Sequence, residues 1–60
     1  MNLPADDYIL LSLVNTKLRD EYPSLQSLCD GEEIDGEELC ARLASAGYVY
    51  DGGRNAFVIK

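Results

Sequence analysis

The chain is short and acidic, with 60 residues that include eleven Asp and Glu against five Lys and Arg, a net charge of −6, and no histidine. This length allows one small core and leaves little room for a cofactor pocket, so we expect a single domain over residues 1–60 without enzyme activity. The negative charge repels phosphate backbones, so we do not expect nucleic acid as a partner.

The first residues do not resemble an export signal. Asp6 and Asp7 interrupt the segment in which a signal peptide is apolar. The longest apolar stretch, residues 8–14, contains Ser12 and is far shorter than the ~20 residues that a membrane span needs. We therefore expect a cytoplasmic protein that does not contact a membrane.

A long amphipathic pattern predicts a first helix over residues 7–21. Asp6 is a suitable N-cap, and Pro23 cannot continue the helix. Apolar side chains at spacings of three and four predict the stripe that faces the core, namely Tyr8, Leu11, Val14, Leu18 and Tyr22.

Two further helices are predicted over residues 24–30 and 36–46. Ser24 is a suitable N-cap for the first of them, and Gly31 is suited to the left-handed position that ends a helix. Asp35 is a suitable N-cap for the second. These caps separate the helices without a long linker, which favours a compact arrangement.

Residues 48–59 predict a β-hairpin, because two runs of β-branched and aromatic residues flank the pair Gly52 and Gly53. A tight turn centred on the two glycines sets the register of the strands. The expected cross-strand pairs are Tyr48 with Phe57, Val49 with Ala56, and Tyr50 with Asn55.

The order helix, short helix, helix, hairpin resembles a winged helix-turn-helix. In this comparison, SLQSLCDGEEIDGEELCARLASAGYVYD looks like the second helix, the third helix and the start of the wing. The segment between these helices is longer and more acidic than the 3- to 4-residue turn of a typical helix-turn-helix. We expect a mainly α fold with a C-terminal β-hairpin, that is, a three-helix winged-helix-like domain.

Four segments carry a second resemblance, which covers nearly the whole chain: LPADDYILLSLVNTKLRDEY, SLCDGEEIDGEEL, AGYVYD and NAFV. In these segments the chain resembles a family of very short bacterial proteins of unknown function, the domain of unknown function 4250 type. The resemblance implies a free-standing bacterial cytosolic domain, and it assigns no activity to any residue.

Cys29 and Cys40 both fall on apolar helical faces, so we expect buried, reduced thiols, with a redox pair as the alternative. The chain has no CxxC pair, which argues against structural zinc. The acidic residues between positions 30 and 38 lack the spacing of a calcium loop. We therefore predict helix caps and a solvated acidic face there, with no metal or cofactor.

Two arginines bear on the alternative function, a nucleic-acid-binding winged helix-turn-helix regulator. Arg42 is predicted on the outward face of the third helix and Arg54 at the tip of the hairpin. A continuous cationic face containing both would favour that function. However, the third helix begins with acidic residues where a recognition helix would approach DNA, which favours a protein partner instead.

Ile9 and Leu13 give the first helix a second apolar side, opposite the stripe formed by Leu11, Val14 and Leu18. An exposed apolar patch often marks an interaction site, so these two residues are the candidate site. We expect a small protein-interaction module that binds a protein partner or forms a homodimer. The alternative is that residues 1–3 or the hairpin cover this side.

Overall fold

The computed structural model describes residues 2–60. The elements, in chain order, are α1 (Asp7–Asp20), α2 (Leu25–Glu32), α3 (Gly36–Ser45), β1 (Tyr48–Asp51) and β2 (Ala56–Ile59). This arrangement confirms the predicted mainly α domain with an antiparallel C-terminal hairpin. Within residues 2–60, every helix is too short or too polar to cross a bilayer.

Each helix begins where a local cap satisfies its first backbone N–H groups. The side chains of Asp6, Ser24 and Asp35 accept hydrogen bonds from the first turns of α1, α2 and α3, with shortest distances of 2.8, 3.1 and 3.0 Å. The free N–H groups at a helix start need such acceptors. All three predicted N-caps are therefore confirmed.

The end of α2 differs from the prediction. Glu33, rather than Gly31, takes the left-handed conformation (φ 56°, ψ 50°) and donates its N–H to the Cys29 carbonyl. Gly31 lies inside the helix, where an added Cβ would be 2.6 Å from Cε1 of Tyr22 and 2.8 Å from its hydroxyl. The same hydroxyl donates to Glu32 at 2.5 Å. Glycine at position 31 is therefore favoured by the close contact with the Tyr22 ring, and not by the backbone conformation at the end of the helix.

The predicted strand register is wrong by two residues. The observed pairs are Tyr48 with Ile59, Val49 with Val58, Tyr50 with Phe57, and Asp51 with Ala56. Residues 52–55 form a four-residue loop, because Asp51 Oδ1 accepts from the N–H groups of Gly53 at 2.9 Å and Arg54 at 3.3 Å. Asn55 then takes a left-handed φ of 52° and returns the chain to β2.

Asn55 ties this loop to the C-terminal end of α1. Its Nδ2 donates to the carbonyls of Leu18 at 3.0 Å and Tyr22 at 2.9 Å, and its Oδ1 accepts from the Tyr50 hydroxyl at 2.7 Å. Carbonyls at a helix end lack partners within the helix, so this side chain supplies one. The register of the hairpin thus depends on a contact with α1.

The core lies between the three helices and the inner face of the hairpin. Its buried side chains are Leu10, Val14, Leu18, Leu28, Leu39, Leu43 and Phe57. The predicted stripe on α1 is wrong at Tyr8, which is 69% exposed, while Leu10 is fully buried. Leu11 and Tyr22 pack on the core only in part. The sequence pattern did not separate the faces because Leu10 and Leu11 are adjacent and equally apolar.

Asn15 joins α1 to the free edge of β2. Its Oδ1 accepts from the Phe57 N–H at 2.8 Å, and its Nδ2 donates to the Phe57 carbonyl at 3.1 Å. The side-chain amide therefore pairs with the strand as a residue of a neighbouring strand would. This contact fixes how the hairpin sits against α1.

Candidate functional site

The solvent-facing side of α1 is the first candidate surface. This surface, the α1 face, consists of Tyr8, Ile9, Ser12, Leu13 and Thr16. Tyr8 is 69% and Ile9 58% exposed, whereas Leu13 is half-buried. The five side chains carry no ionised group, although 27% of the residues in the chain are charged. A partner could cover the face without desolvating a charge.

The two predicted site residues differ in their surroundings. Ile9 and Leu13 are four positions apart and so lie along the same side of α1. Ile9 points to solvent, while Leu13 lies closer to the body of the domain. Tyr8 was predicted as a core residue, yet its exposure places it on the surface beside Ile9.

The described part of the N-terminal segment, residues 2–5, leaves Ile9 58% exposed, and Arg42 holds Pro4 and Ala5 against α3. Met1, which the alternative also invoked, lies outside the described residues. The Nη2 atom of Arg42 donates to the carbonyls of Pro4 at 2.7 Å and Ala5 at 3.2 Å, and to the Asp7 carboxylate at 2.9 Å. Arg42 thus lies at the surface as predicted, but its guanidinium is engaged by the N-terminal segment, which the sequence pattern did not predict. Its three acceptors all belong to the start of the chain, which draws the side chain along the surface of the domain.

Lys17, Arg19 and Arg54 also lie close to carboxylates. Lys17 lies 3.2 Å from Glu21 and 3.5 Å from Glu32. Arg19 is 2.9 Å from Asp20, and the guanidinium of Arg54 is 3.7 Å from Asp51. Arg42 and Arg54 thus each lie near a separate carboxylate, which reduces the positive field that a nucleic-acid backbone would meet.

A second candidate surface is an open hollow of about 450 Å³ between α2 and α3, the α2–α3 hollow. Its lining residues are Leu25, Gln26, Cys29, Gly36, Glu37 and Cys40. Both cysteines are free and half-buried, so the prediction of full burial is wrong. They lie at the margin of the core, where small side chains leave space between the helices.

Both thiols in the hollow are protonated at neutral pH. Burial is the main cause that raises the pKa of Cys29, and the nearby Cys40, Asp30 and Asp35 add to the effect. Burial also raises the pKa of Cys40. A thiolate is the reactive form of cysteine, so this environment disfavours nucleophilic chemistry.

The third candidate is a hollow of about 680 Å³ between α1 and the loop 52–55, which borders the α1 face and shares Tyr8, Ser12 and Thr16 with it. Its main polar groups already have partners within the fold. Asn15 and Asn55 bind backbone groups, and Arg19 and Arg54 pair with aspartates. A ligand would have to compete with these contacts, so this hollow is the weakest of the three candidates.

Sequence reasoning missed the α2–α3 hollow. Leu25 and Cys29 lie one helical turn apart on α2, and Gly36 and Cys40 lie one helical turn apart on the facing side of α3. That spacing was a usable signal, but it required knowing that the two helices lie side by side. As for metals, the side chains of residues 2–60 include no group of three His, Cys, Asp or Glu that could hold an ion.

The family profile described as Domain of unknown function (DUF4250) matches residues 4–57. The match spans α1, α2, α3, β1 and the first half of β2. No curated protein and no solved structure matches the chain at a significant level. Because the family profile covers nearly all of its length, the chain belongs to the DUF4250 family.

Proposed function

We propose that this domain is a small protein-interaction module of the bacterial cytoplasm, without enzyme activity, whose α1 face binds a second copy of the chain. The observation that carries the proposal is the joint exposure of Tyr8 at 69% and Ile9 at 58% on a helix face without charge. Burying such a face removes apolar area from water, which is the main driving force for association.

The charge of the domain bears on how two copies could meet. Each copy carries a net charge of −6, so most orientations bring carboxylates together. Contact through the α1 face limits this, because its five side chains carry no charge and the exposed Arg19 and Asp20 one turn beyond them pair with each other. Charges farther away than ~8 Å are largely screened at physiological salt. A two-fold pair of α1 helices therefore meets the least electrostatic resistance.

The pairing of the cations favours a protein partner over nucleic acid. Lys17, Arg19, Arg42 and Arg54 are each within 4.0 Å of a carboxylate. Binding to a phosphate backbone needs several cations on one surface, each free to displace a counterion. This arrangement supports the interaction module over the alternative regulator.

Sedimentation equilibrium from micromolar to millimolar protein tests the proposal. The wild type should form dimers, whereas Ile9→Glu and the double variant Ile9→Glu/Leu13→Glu should remain folded monomers, with folding checked by circular dichroism. The single variant is needed because Leu13 is half-buried, and its replacement could weaken the fold.

The double variant Ala41→Glu/Ser45→Glu is a matched control. It adds the same charge with the same spacing on α3, and both positions are exposed. It should dimerise like the wild type. A wild-type protein that is monomeric at every concentration would refute self-association through the α1 face, and equal loss of dimer in the control would show a general charge effect instead.

A further inference from the structure

The α2–α3 hollow lies on a different part of the molecule from the α1 face and has a different character. Leu25 and Cys29 supply one wall from α2, while Gly36 and Cys40 supply the other from α3. Leu25, Cys29 and Cys40 also pack on the core, so the floor of the hollow is continuous with the interior. A side chain placed there would meet ordered, apolar surroundings.

Gly36 is the residue that keeps this hollow open. Its backbone does not need glycine, because the positive-φ glycine among residues 2–60 is Gly47. Packing does not need glycine either, because an added Cβ would meet only Cys29 Sγ, at an ordinary contact distance of 3.5 Å. Glycine weakens a helix relative to alanine. The structural effect of Gly36 is therefore the empty space beside the two cysteines.

Three acidic residues lie at or beside this apolar space. Glu37 lines the hollow directly. Asp35 caps the start of α3 directly beside Gly36, and Asp30 follows Cys29 in α2, both at exposed positions. Most of the cations of the chain pair with carboxylates elsewhere. The hollow thus combines an apolar floor with a negative rim.

We propose that the α2–α3 hollow binds a basic segment of another protein, with one apolar side chain in the hollow and flanking Lys or Arg side chains facing the acidic rim. Its volume of about 450 Å³ lies within the ~300–1,000 Å³ of ligand pockets, and its open form suits a side chain of a peptide. Opposite charge across the rim steers such a segment to the surface and selects against acidic partners.

Charge also distinguishes this occupant from the other candidates. A second copy of the chain carries a net charge of −6 and uses its arginines in internal ion pairs, so it is poorly suited to an acidic rim. Nucleic acid is repelled by the same carboxylates. A basic, partly apolar peptide is the occupant that satisfies both parts of the surface.

Three synthetic peptides test the proposal by fluorescence anisotropy. The first has one central leucine between two pairs of lysines, the second has serine in place of the leucine, and the third has glutamates in place of the lysines. The leucine and lysine peptide should bind at least tenfold more tightly than either of the others. Equal affinity of the leucine and serine peptides would overturn the proposal, because binding would then need charge only.

Variants of the hollow locate the binding. Gly36→Leu should fill the space and weaken binding of the first peptide at least tenfold, whereas Gly36→Ala should change it less than threefold. Glu37→Gln, at an exposed position, should weaken binding about threefold without touching the core. Unchanged affinity in both Gly36→Leu and Glu37→Gln would place the peptide elsewhere and refute the proposal.

The cysteines give a second, local measurement. Bound peptide should slow alkylation of Cys29 and Cys40 by iodoacetamide several-fold, because both thiols line the hollow. Unaltered alkylation at saturating peptide would contradict the assignment. Ile9→Glu should leave the peptide affinity unchanged, so this test can fail or succeed independently of dimer formation. Loss of self-association in Gly36→Leu, without peptide binding to the wild type, would assign the hollow to a second copy instead.

Discussion

Replacing Asn15 with alanine should destabilise the domain by about 1.5 kcal/mol. The change removes two hydrogen bonds, the one from the Phe57 N–H at 2.8 Å and the one to the Phe57 carbonyl at 3.1 Å. Each such bond contributes roughly 0.5–1.5 kcal/mol net. Both bonds are half-buried, so water can replace part of the loss, and a value in the lower half of the summed range of roughly 1–3 kcal/mol is expected.

Urea unfolding followed by circular dichroism measures this loss. With a slope of ~1 kcal/mol per molar urea for a small domain, the midpoint should fall by about 1.5 M. In a thermal scan the same loss corresponds to roughly 6–12 °C, because about 1 kcal/mol shifts the melting temperature of such a domain by ~4–8 °C. The variant Ser45→Ala, at an exposed position on α3 away from the α1 face, is the control and should change stability by less than about 0.5 kcal/mol.

Asn15→Asp separates the two bonds. An aspartate keeps the acceptor for the Phe57 N–H but places a second oxygen against the Phe57 carbonyl. It should therefore be destabilising at pH 7, and the difference from wild type should shrink near pH 3, where a protonated carboxyl can donate. If Asn15→Ala proves no more destabilising than Ser45→Ala, the side-chain bridge between α1 and β2 does not stabilise the domain.

Two further predictions concern α2 and its contact with Tyr22. Gly31→Ala should lower the melting temperature despite the better helix propensity of alanine, because its Cβ would lie 2.6 Å from the Tyr22 ring. The control Gly36→Ala should not lower it, because its Cβ would lie 3.5 Å from the nearest neighbour. Equal melting temperatures for the two variants would show that the ring moves aside freely. Glu32→Gln should destabilise at neutral pH, because the hydrogen bond from Tyr22 and the charge of Lys17 hold the pKa of Glu32 below its usual range. A carboxyl with a lowered pKa stabilises the fold above its unfolded value of ~4.3, and the effect disappears as pH falls through the folded pKa, so the difference between wild type and variant should vanish at low pH in urea titrations. A difference that is independent of pH would rule out an ionic role for Glu32.

Local chemistry in the sequence is sufficient to predict where the helices start. Asp6, Ser24 and Asp35 cap the helices from within a few residues of the groups they bind, so no knowledge of the rest of the fold is needed. Gly47, with a φ of 97°, follows the third helix for an equally local reason. The element order follows from these signals and from the alternation in the hairpin.

The faces of the helices and the register of the hairpin depend on distant contacts. Leu10 and Leu11 look alike in sequence, and only the positions of the other elements decide which is fully buried. Two glycines suggested a tight turn, yet Asn55 binds carbonyls at the end of α1 and moves the register by two residues. Gly31 indicated a helix end, but α2 continues to Glu32 and the Tyr22 ring packs against Gly31.

The candidate sites also divide into features that local sequence predicts and features that only the packing of separate elements creates. Helical spacing was enough to predict that Ile9 lies off the core stripe, but it placed Tyr8 in the core and did not show that Leu13 is half-buried. It could not show the α2–α3 hollow, whose two walls come from different helices, nor that Arg42 binds the start of the chain. Caps and spacings act between residues a few positions apart, whereas grooves, register and buried faces arise only when separate elements pack together, and that packing belongs to the tertiary structure.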